Sequence, residues 1–261
     1  MTGILLLALK ASVGALIFAI GLGSTPGDLA YLWRRPGLLL RSVLAMYVAV
    51  PVAILALVKV LPLSTGVKTA LLVLAISAGA PLLPRKLMPL GREGYVFSLV
   101  VTSSLLAVVA VPAWLAVLSA HFGRETAVTP GAVALAIART FLAPLLLGML
   151  ARWPLGRMAD RLSDALLKGV GAVLLVCGAG LLVLEAGVLW EVGWRPFLAL
   201  AGLTLVALLV GHALGGPDPD DRTALAVCCA TRHIGIAILA ASVAPGPRVV
   251  ALVLVYLLAS A

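Results

Sequence analysis

The stretch Ala226-Val227-Cys228-Cys229-Ala230-Thr231-Arg232-His233-Ile234-Gly235-Ile236-Ala237 places two basic side chains and a glycine inside an apolar run over 223–244. A run of that length can cross a bilayer. An arginine at the centre of a spanning helix costs at least ~2.5 kcal/mol on insertion scales. Gly235 weakens the helix at the same point, and helices broken at mid-membrane are typical of solute and ion sites. We therefore predict a broken helix with a binding site at the break; the alternative is a structural polar cluster buried against another helix.

The composition excludes a water-soluble domain. The 261 residues are 63% hydrophobic and 11% charged, with a mean hydropathy of +1.19. The net charge of +9 comes from lysines and arginines that gather in predicted loops, the usual topology signal of an inner membrane. No interleaving of basic and aromatic residues points to nucleic acid. We predict an all-α integral membrane protein of the cell (inner) membrane, with the lipid bilayer and no nucleic acid as its surroundings.

Nine apolar segments are predicted to be transmembrane helices. They cover about 3–22, 37–61, 66–83, 95–119, 131–150, 169–189, 197–214, 223–244 and 249–261. An amphipathic piece, 156–167, is expected to precede the sixth segment. The ninth segment, at ~1.5 Å per residue, is too short to cross ~30 Å of hydrocarbon, so we expect a truncated or abnormal last helix.

The charges in the loops predict the orientation. With the N-terminus outside, the inner connections hold Arg34, Arg35, Arg41, Arg85, Lys86, Arg92, Arg152, Arg157, Arg161, Lys168 and Arg222. The outer connections hold Lys59, Lys68, Arg124, Arg195 and Arg248. Because lysine and arginine are enriched on the cytoplasmic side, we predict a multi-pass protein with its N-terminus outside.

A second break is predicted near Gly79, Pro81 and Pro84, where two prolines cannot sustain a regular helix. The third and eighth segments therefore stand at comparable places in the two halves of the chain. Segments one to four match segments six to nine, with opposite topology and the fifth unpaired. Inverted repeats with paired broken helices indicate a midplane site in secondary transporters.

Several short motifs occur in an order that resembles the bile acid:sodium symporter family. They are Gly21-Leu22-Gly23 through Asp28, Arg34-Arg35-Pro36, Ser77-Ala78-Gly79-Ala80-Pro81, Pro144-Leu145-Leu146-Leu147-Gly148 and Asp221-Arg222-Thr223-Ala224-Leu225. The resemblance implies the nine-helix version of a ten-helix fold. It also implies that two broken helices cross, with a panel domain (about 3–22 and 131–189) and a core domain (about 37–119 and 197–261).

The resemblance also implies a set of sodium ligands, most of which are replaced here. The family's hydroxyls after the first break match Ser98 and Thr102, whereas Pro84 and Arg85 stand at its serine-asparagine pair. Its glutamate and glutamine on the second broken helix match Cys228 and Arg232, and His233 stands where asparagine is common. Sodium needs hard oxygen ligands, which these replacements do not supply. We therefore expect no cofactor, no metal site and no sodium coupling.

The replacements keep the predicted site cationic without a carboxylate. Arg85 or Arg232 can act as a tethered cation and can bind the carboxylate of an anionic substrate through bidentate contacts. Each candidate has an alternative: Arg85 as a topology charge, Ser98 and Thr102 as hydroxyls bonded back to their helix. His233 is either a proton carrier or a neutral buried histidine.

The sequence thus predicts a secondary transporter of a small organic anion that works by alternating access and is not an enzyme. No phosphate-binding loop, zinc-binding helix or nucleophile elbow is present. The alternative is a non-transporting relative that acts as a membrane sensor or partner subunit.

Overall fold

The computed structural model describes residues 2–79, 93–122, 130–184 and 194–233, together with positions 236, 237, 240, 241, 249, 252, 253 and 256. The helices, in chain order, are α1 (Thr2–Gly23), α2 (Pro26–Ala30), α3 (Pro36–Leu44), α4 (Val50–Val60), α5 (Thr65–Ile76), α6 (Glu93–Phe122), α7 (Pro130–Ile137), α8 (Ala143–Leu155), α9 (Met158–Leu184), α10 (Arg195–Leu214) and α11 (Pro219–Ala230). One π-helical turn, Ala45–Ala49, joins α3 to α4, and another, Ala138–Leu142, joins α7 to α8.

Four helical stretches of the described chain are long and apolar enough to cross a membrane. They are Pro36–Val60, Gly94–Leu118, Ala134–Leu155 and Pro196–Leu214. Shorter apolar helices cover Ala11–Gly23 and Thr65–Ile76. The prediction of an all-α membrane protein is confirmed, while the number of nine helices and the inverted repeats stay predictions.

Proline explains the π-helical turn in the second apolar segment. Pro51 has no backbone N–H to donate to the carbonyl of Tyr47 four residues earlier, so an ordinary helix would leave that oxygen without a partner. The indole Nε1–H of Trp114 donates to the Tyr47 carbonyl at 2.7 Å instead. This bond ties the second segment to α6.

The described helices pack in two groups. In one group, α1 lies against α8 and α9. In the other, α10 packs on α11 and also contacts α4 and α5, while α6 contacts α5 and α11. Helix α6 also touches α2 and α7 and shares an apolar groove with α8, so it lies where the two groups meet.

Glycines bring α1 and α8 into backbone contact. A Cβ atom at Gly148 would overlap the carbonyl oxygen of Phe18 and lie 2.8 Å from the backbone nitrogen of Leu22. A Cβ at Gly21 would overlap the carbonyl oxygen of Leu145. Small residues at such contacts allow helices to approach closely in membranes, where van der Waals packing drives their association.

One boundary drawn from the sequence was wrong. The helix of the third segment ends at Ile76, earlier than the predicted end at Leu83. The chain leaves the helix at Ser77, whose N–H donates to the Leu74 carbonyl at 3.2 Å. The amphipathic piece 156–167 does precede the sixth segment and is continuous with it, since helix α9 runs from Met158 to Leu184 and contains no proline.

Candidate functional site

The first break follows α5 directly. The Ser77 hydroxyl donates to the Val73 carbonyl at 2.7 Å and so satisfies one of the last carbonyls of that helix. Gly79 adopts φ +95°, a backbone conformation that favours glycine. A Cβ there would also lie 2.5 Å from the Ser103 hydroxyl oxygen. Gly79 is therefore required both by its backbone angle and by its contact with α6.

The second break follows α11 at Thr231, whose backbone is extended at φ −94° and ψ 156°. His233 N–H donates to the Ser77 carbonyl at 2.9 Å, and Ala78 pairs with Arg232 as an isolated antiparallel bridge. The two non-helical segments thus pair with each other. Backbone that is not helical at membrane depth requires such partners, since no water is there to replace them.

Side chains of this protein cap the C-terminal end of α11. Beyond the last intrahelical bond, from Thr231 N–H to the Val227 carbonyl, four carbonyls need other donors. The Thr231 hydroxyl donates to the Val227 carbonyl at 2.9 Å and lies 3.3 Å from the Cys228 carbonyl. Arg232 Nη1 donates to the carbonyls of Cys229 and Thr231, and the Tyr256 hydroxyl donates to the Ala230 carbonyl at 2.6 Å. Three of the four carbonyls therefore have a donor from another side chain, and the Cys228 carbonyl has only the longer contact with Thr231.

Arg232 is only 2% exposed, yet only one of its guanidinium nitrogens makes hydrogen bonds within the described residues. Nη1 donates to the end of α11, where a cation is favoured by the helix dipole. Nε and Nη2 have no hydrogen-bond partner among the residues that the structure describes. The Nε–H and Nη2–H bonds of an arginine point in the same direction, so this edge is the one that can take a carboxylate through two parallel hydrogen bonds.

His233 is equally buried, at 2% exposed. Its Nδ1 lies 3.5 Å from the Ile236 backbone nitrogen and accepts that N–H, which assigns the ring proton to Nε2. Its ring meets the Phe141 ring edge-on, with centroids 5.8 Å apart. Within the described chain, Nε2 has no hydrogen-bond partner. The second break therefore contacts the π-helical turn of the fifth segment.

The two hydroxyls predicted together are used differently. Ser98 accepts Leu32 N–H at 3.0 Å and donates to the Leu29 carbonyl at 2.9 Å, so it fastens the chain after α2 to α6. The Thr102 hydroxyl, 2% exposed, has no partner among the described residues. Cys228 is a buried free thiol. Arg85, Pro81, Pro84 and Gly235 lie outside the described residues.

Two tyrosines that the sequence reasoning passed over belong to this region. Tyr256 caps α11, as described above, and the Tyr47 hydroxyl donates to the Ser103 carbonyl beside Gly79. A buried tyrosine hydroxyl needs a partner, but each partner is remote in sequence. The one signal that the sequence offers for these residues is that tyrosine is rare in the apolar segments.

Paired breaks inside a bundle of apolar helices are typical of secondary transporters whose spanning helices are interrupted at the binding site. The family model described as the sodium bile acid symporter family matches residues 11–192. The chain belongs to the sodium bile acid symporter family. The matched region includes the first break and ends before the second. A comparison with curated proteins gave no match.

Proposed function

We propose that this protein is a secondary transporter of an organic anion that carries a carboxylate, and that it works without sodium. The observation that carries the proposal is the Nε–Nη2 edge of Arg232, which is buried and unpaired among the described residues at the meeting point of the two breaks. An unpaired guanidinium at membrane depth is costly. A bound carboxylate offsets that cost, and supplies the two oxygens that fit the edge.

The capped end of α11 supports independence from sodium. In transporters with broken helices, carbonyls at the ends of half-helices coordinate sodium ions. Here the carbonyls of Cys229 and Ala230 accept from Arg232 and Tyr256. Ser98 is already bonded to the chain after α2. The described carbonyl and hydroxyl oxygens are therefore better suited to the tethered guanidinium of Arg232 than to a sodium ion.

A binding screen tests the substrate class. Thermal-shift measurements on the purified protein compare cholate, benzoate and pyruvate with the uncharged amides of the same acids. Ligands that bind only the folded state raise the unfolding temperature. Stabilisation by at least one acid and by none of the amides is expected. Equal stabilisation by acid and amide would contradict recognition of the carboxylate.

Binding of the best acid should be the same in sodium, potassium and choline at constant ionic strength. A sodium ion entering beside Arg232 would meet an uncompensated positive charge at a distance of a few ångströms, where screening is weak. The measurement is the dissociation constant in each salt. The double variant Arg232→Gln with Cys228→Glu, which restores an oxygen ligand and removes the cation, serves as the comparison and should gain sodium dependence. Saturable stimulation of the wild-type protein by sodium alone would overturn the proposal.

We further propose that the group α1, α8 and α9 forms the panel domain and the group α4, α5, α6, α10 and α11 the core domain. Alternating access would then move one group against the other, with His233 and Phe141 in contact across the boundary. The sensor or partner-subunit alternative is favoured if the protein in proteoliposomes binds the acid but does not accumulate labelled acid in exchange for an outward gradient of unlabelled acid.

The proposed location is the inner membrane with the N-terminus outside. Asp164 in α9 and Ser64 before α5 are both exposed and fall on opposite sides in this topology. In intact cells, an impermeant thiol reagent should label Ser64→Cys and leave Asp164→Cys unlabelled until the cells are lysed. Ser163 is unsuitable for this purpose because it is buried and donates to the Ala19 carbonyl at 2.7 Å. The opposite labelling pattern would invert the topology.

A further inference from the structure

An apolar groove of about 460 Å³ lies where the two helix groups meet. Its walls come from the segment around α2, from α6 and from the fifth apolar segment with α8. The lining residues include Leu29, Trp33, Leu105, Leu142, Leu146 and Met149. The groove is therefore bounded by parts of the molecule that the proposed transport cycle moves against each other.

The groove lies between exposed apolar surfaces of two spanning stretches. Leu105 is 44% exposed and Leu146 is 52% exposed, and both belong to stretches that are long and apolar enough to span. Inside a bilayer such surfaces are covered by acyl chains rather than by water. The groove consequently takes a hydrocarbon chain.

The chain that leaves the groove wall at Trp33 is basic. Trp33 lines the groove and is 58% exposed, and Arg34 and Arg35 follow it directly in the chain and are also exposed. The Arg35 guanidinium lies 4.4 Å from the centre of the Tyr31 ring, a cation–π contact with the residue two positions before Trp33. Tryptophan prefers the interface between headgroups and hydrocarbon, and arginine is suited to phosphate.

We propose that this groove binds an anionic phospholipid, with one acyl chain along the apolar walls and the headgroup on Arg34 and Arg35. Charge selects the lipid: the groove accepts any acyl chain, but two adjacent arginines next to Trp33 favour a headgroup with net negative charge over a zwitterionic one. The lipid would lie between the two helix groups. This proposal does not depend on the identity of the transported anion.

The test uses the fluorescence of Trp33. The protein is reconstituted in liposomes that contain brominated phosphatidylglycerol or brominated phosphatidylcholine, and the Trp33 signal is the difference between the wild-type protein and Trp33→Phe. Bromine quenches a tryptophan that it touches. The wild-type protein should prefer phosphatidylglycerol by about fivefold for each arginine that contacts the headgroup.

The variants separate specific binding from general attraction to an anionic surface. The double variant Arg34→Gln with Arg35→Gln should lose the preference and keep quenching by both lipids. Arg157→Gln removes one positive charge from an exposed turn on the same predicted side and should keep the preference. Ala30→Phe, which adds bulk to the groove wall, should reduce quenching by both lipids. Equal quenching of the wild-type protein by the two lipids, or loss of the preference in Arg157→Gln as well, would overturn the proposal.

Discussion

Replacing Arg232 by glutamine should weaken binding of the best acid by at least about thirtyfold. Truncating one partner of a buried, hydrogen-bonded charge pair costs ~2–5 kcal/mol, and every ~1.4 kcal/mol is tenfold in the dissociation constant. Arg232→Lys keeps the positive charge but cannot offer two parallel donors, so its affinity should fall between those of the wild-type protein and the glutamine variant. The dissociation constants come from equilibrium binding to the purified proteins.

A matched control and a check on folding make this result interpretable. Arg139→Gln makes the same change at an exposed arginine of the fifth apolar segment and should leave the affinity unchanged. Arg232 also caps the Cys229 carbonyl, so the unfolding temperature of each variant is measured without ligand. Should the glutamine variant not fold, Arg232→Lys and the salt comparison still test the role of the charge. A folded glutamine variant with unchanged affinity would rule out Arg232 as the anion site.

The second large effect is expected at a glycine far from the breaks. Gly148→Val should lower the unfolding temperature by about 5–12 °C, because its side chain would overlap the backbone of Phe18 and force α1 away from α8. Overpacking typically costs ~1–3 kcal/mol, and ~1 kcal/mol corresponds to ~2–4 °C for proteins of comparable size. The backbone of Phe18 cannot move aside by changing rotamer, so we expect a cost in the upper part of this range of free energies.

Gly14→Val and Gly202→Val are the controls for this prediction. A Cβ atom added at either position would have no heavy atom of another part of the chain within 4 Å, and valine is a better helix former than glycine. Both variants should therefore keep the wild-type unfolding temperature, measured by fluorescence in detergent. A Gly148→Val protein as stable as these controls would show that α1 and α8 do not touch through their backbones.

Hydropathy and local chemistry predicted the parts of the molecule that depend on neighbours in sequence. Long apolar runs indicate spanning helices, and an arginine, a histidine and a glycine inside one run indicate that it is interrupted. The end of α11 at Ala230, directly before Thr231, follows that reasoning. The end of α5 at Ile76 came earlier than the prolines suggested, because Ser77 caps the helix with its own side chain.

What could not be predicted depends on residues that are remote in sequence. Ser98 and Thr102 share one helical face, which favoured a common role. Nevertheless, Ser98 bonds to Leu29 and Leu32, and no helical periodicity reveals those partners. The cap of Ala230 by Tyr256 is equally remote. The division of the Arg232 guanidinium between a capped carbonyl and an unpaired edge is set by its rotamer, which a sequence does not specify.

The capped end of α11 has a consequence for how ion coupling can change during evolution. Thr231, Arg232 and Tyr256 donate to this end through their side chains, whereas the backbone beyond it is held by its pairing with the first break. Substitutions at these few positions would expose the same carbonyls to a mobile cation while the helices and their packing stay as they are. A lineage with this fold can therefore replace a bound cation by a positively charged side chain, or the reverse, through point substitutions and without any change in architecture.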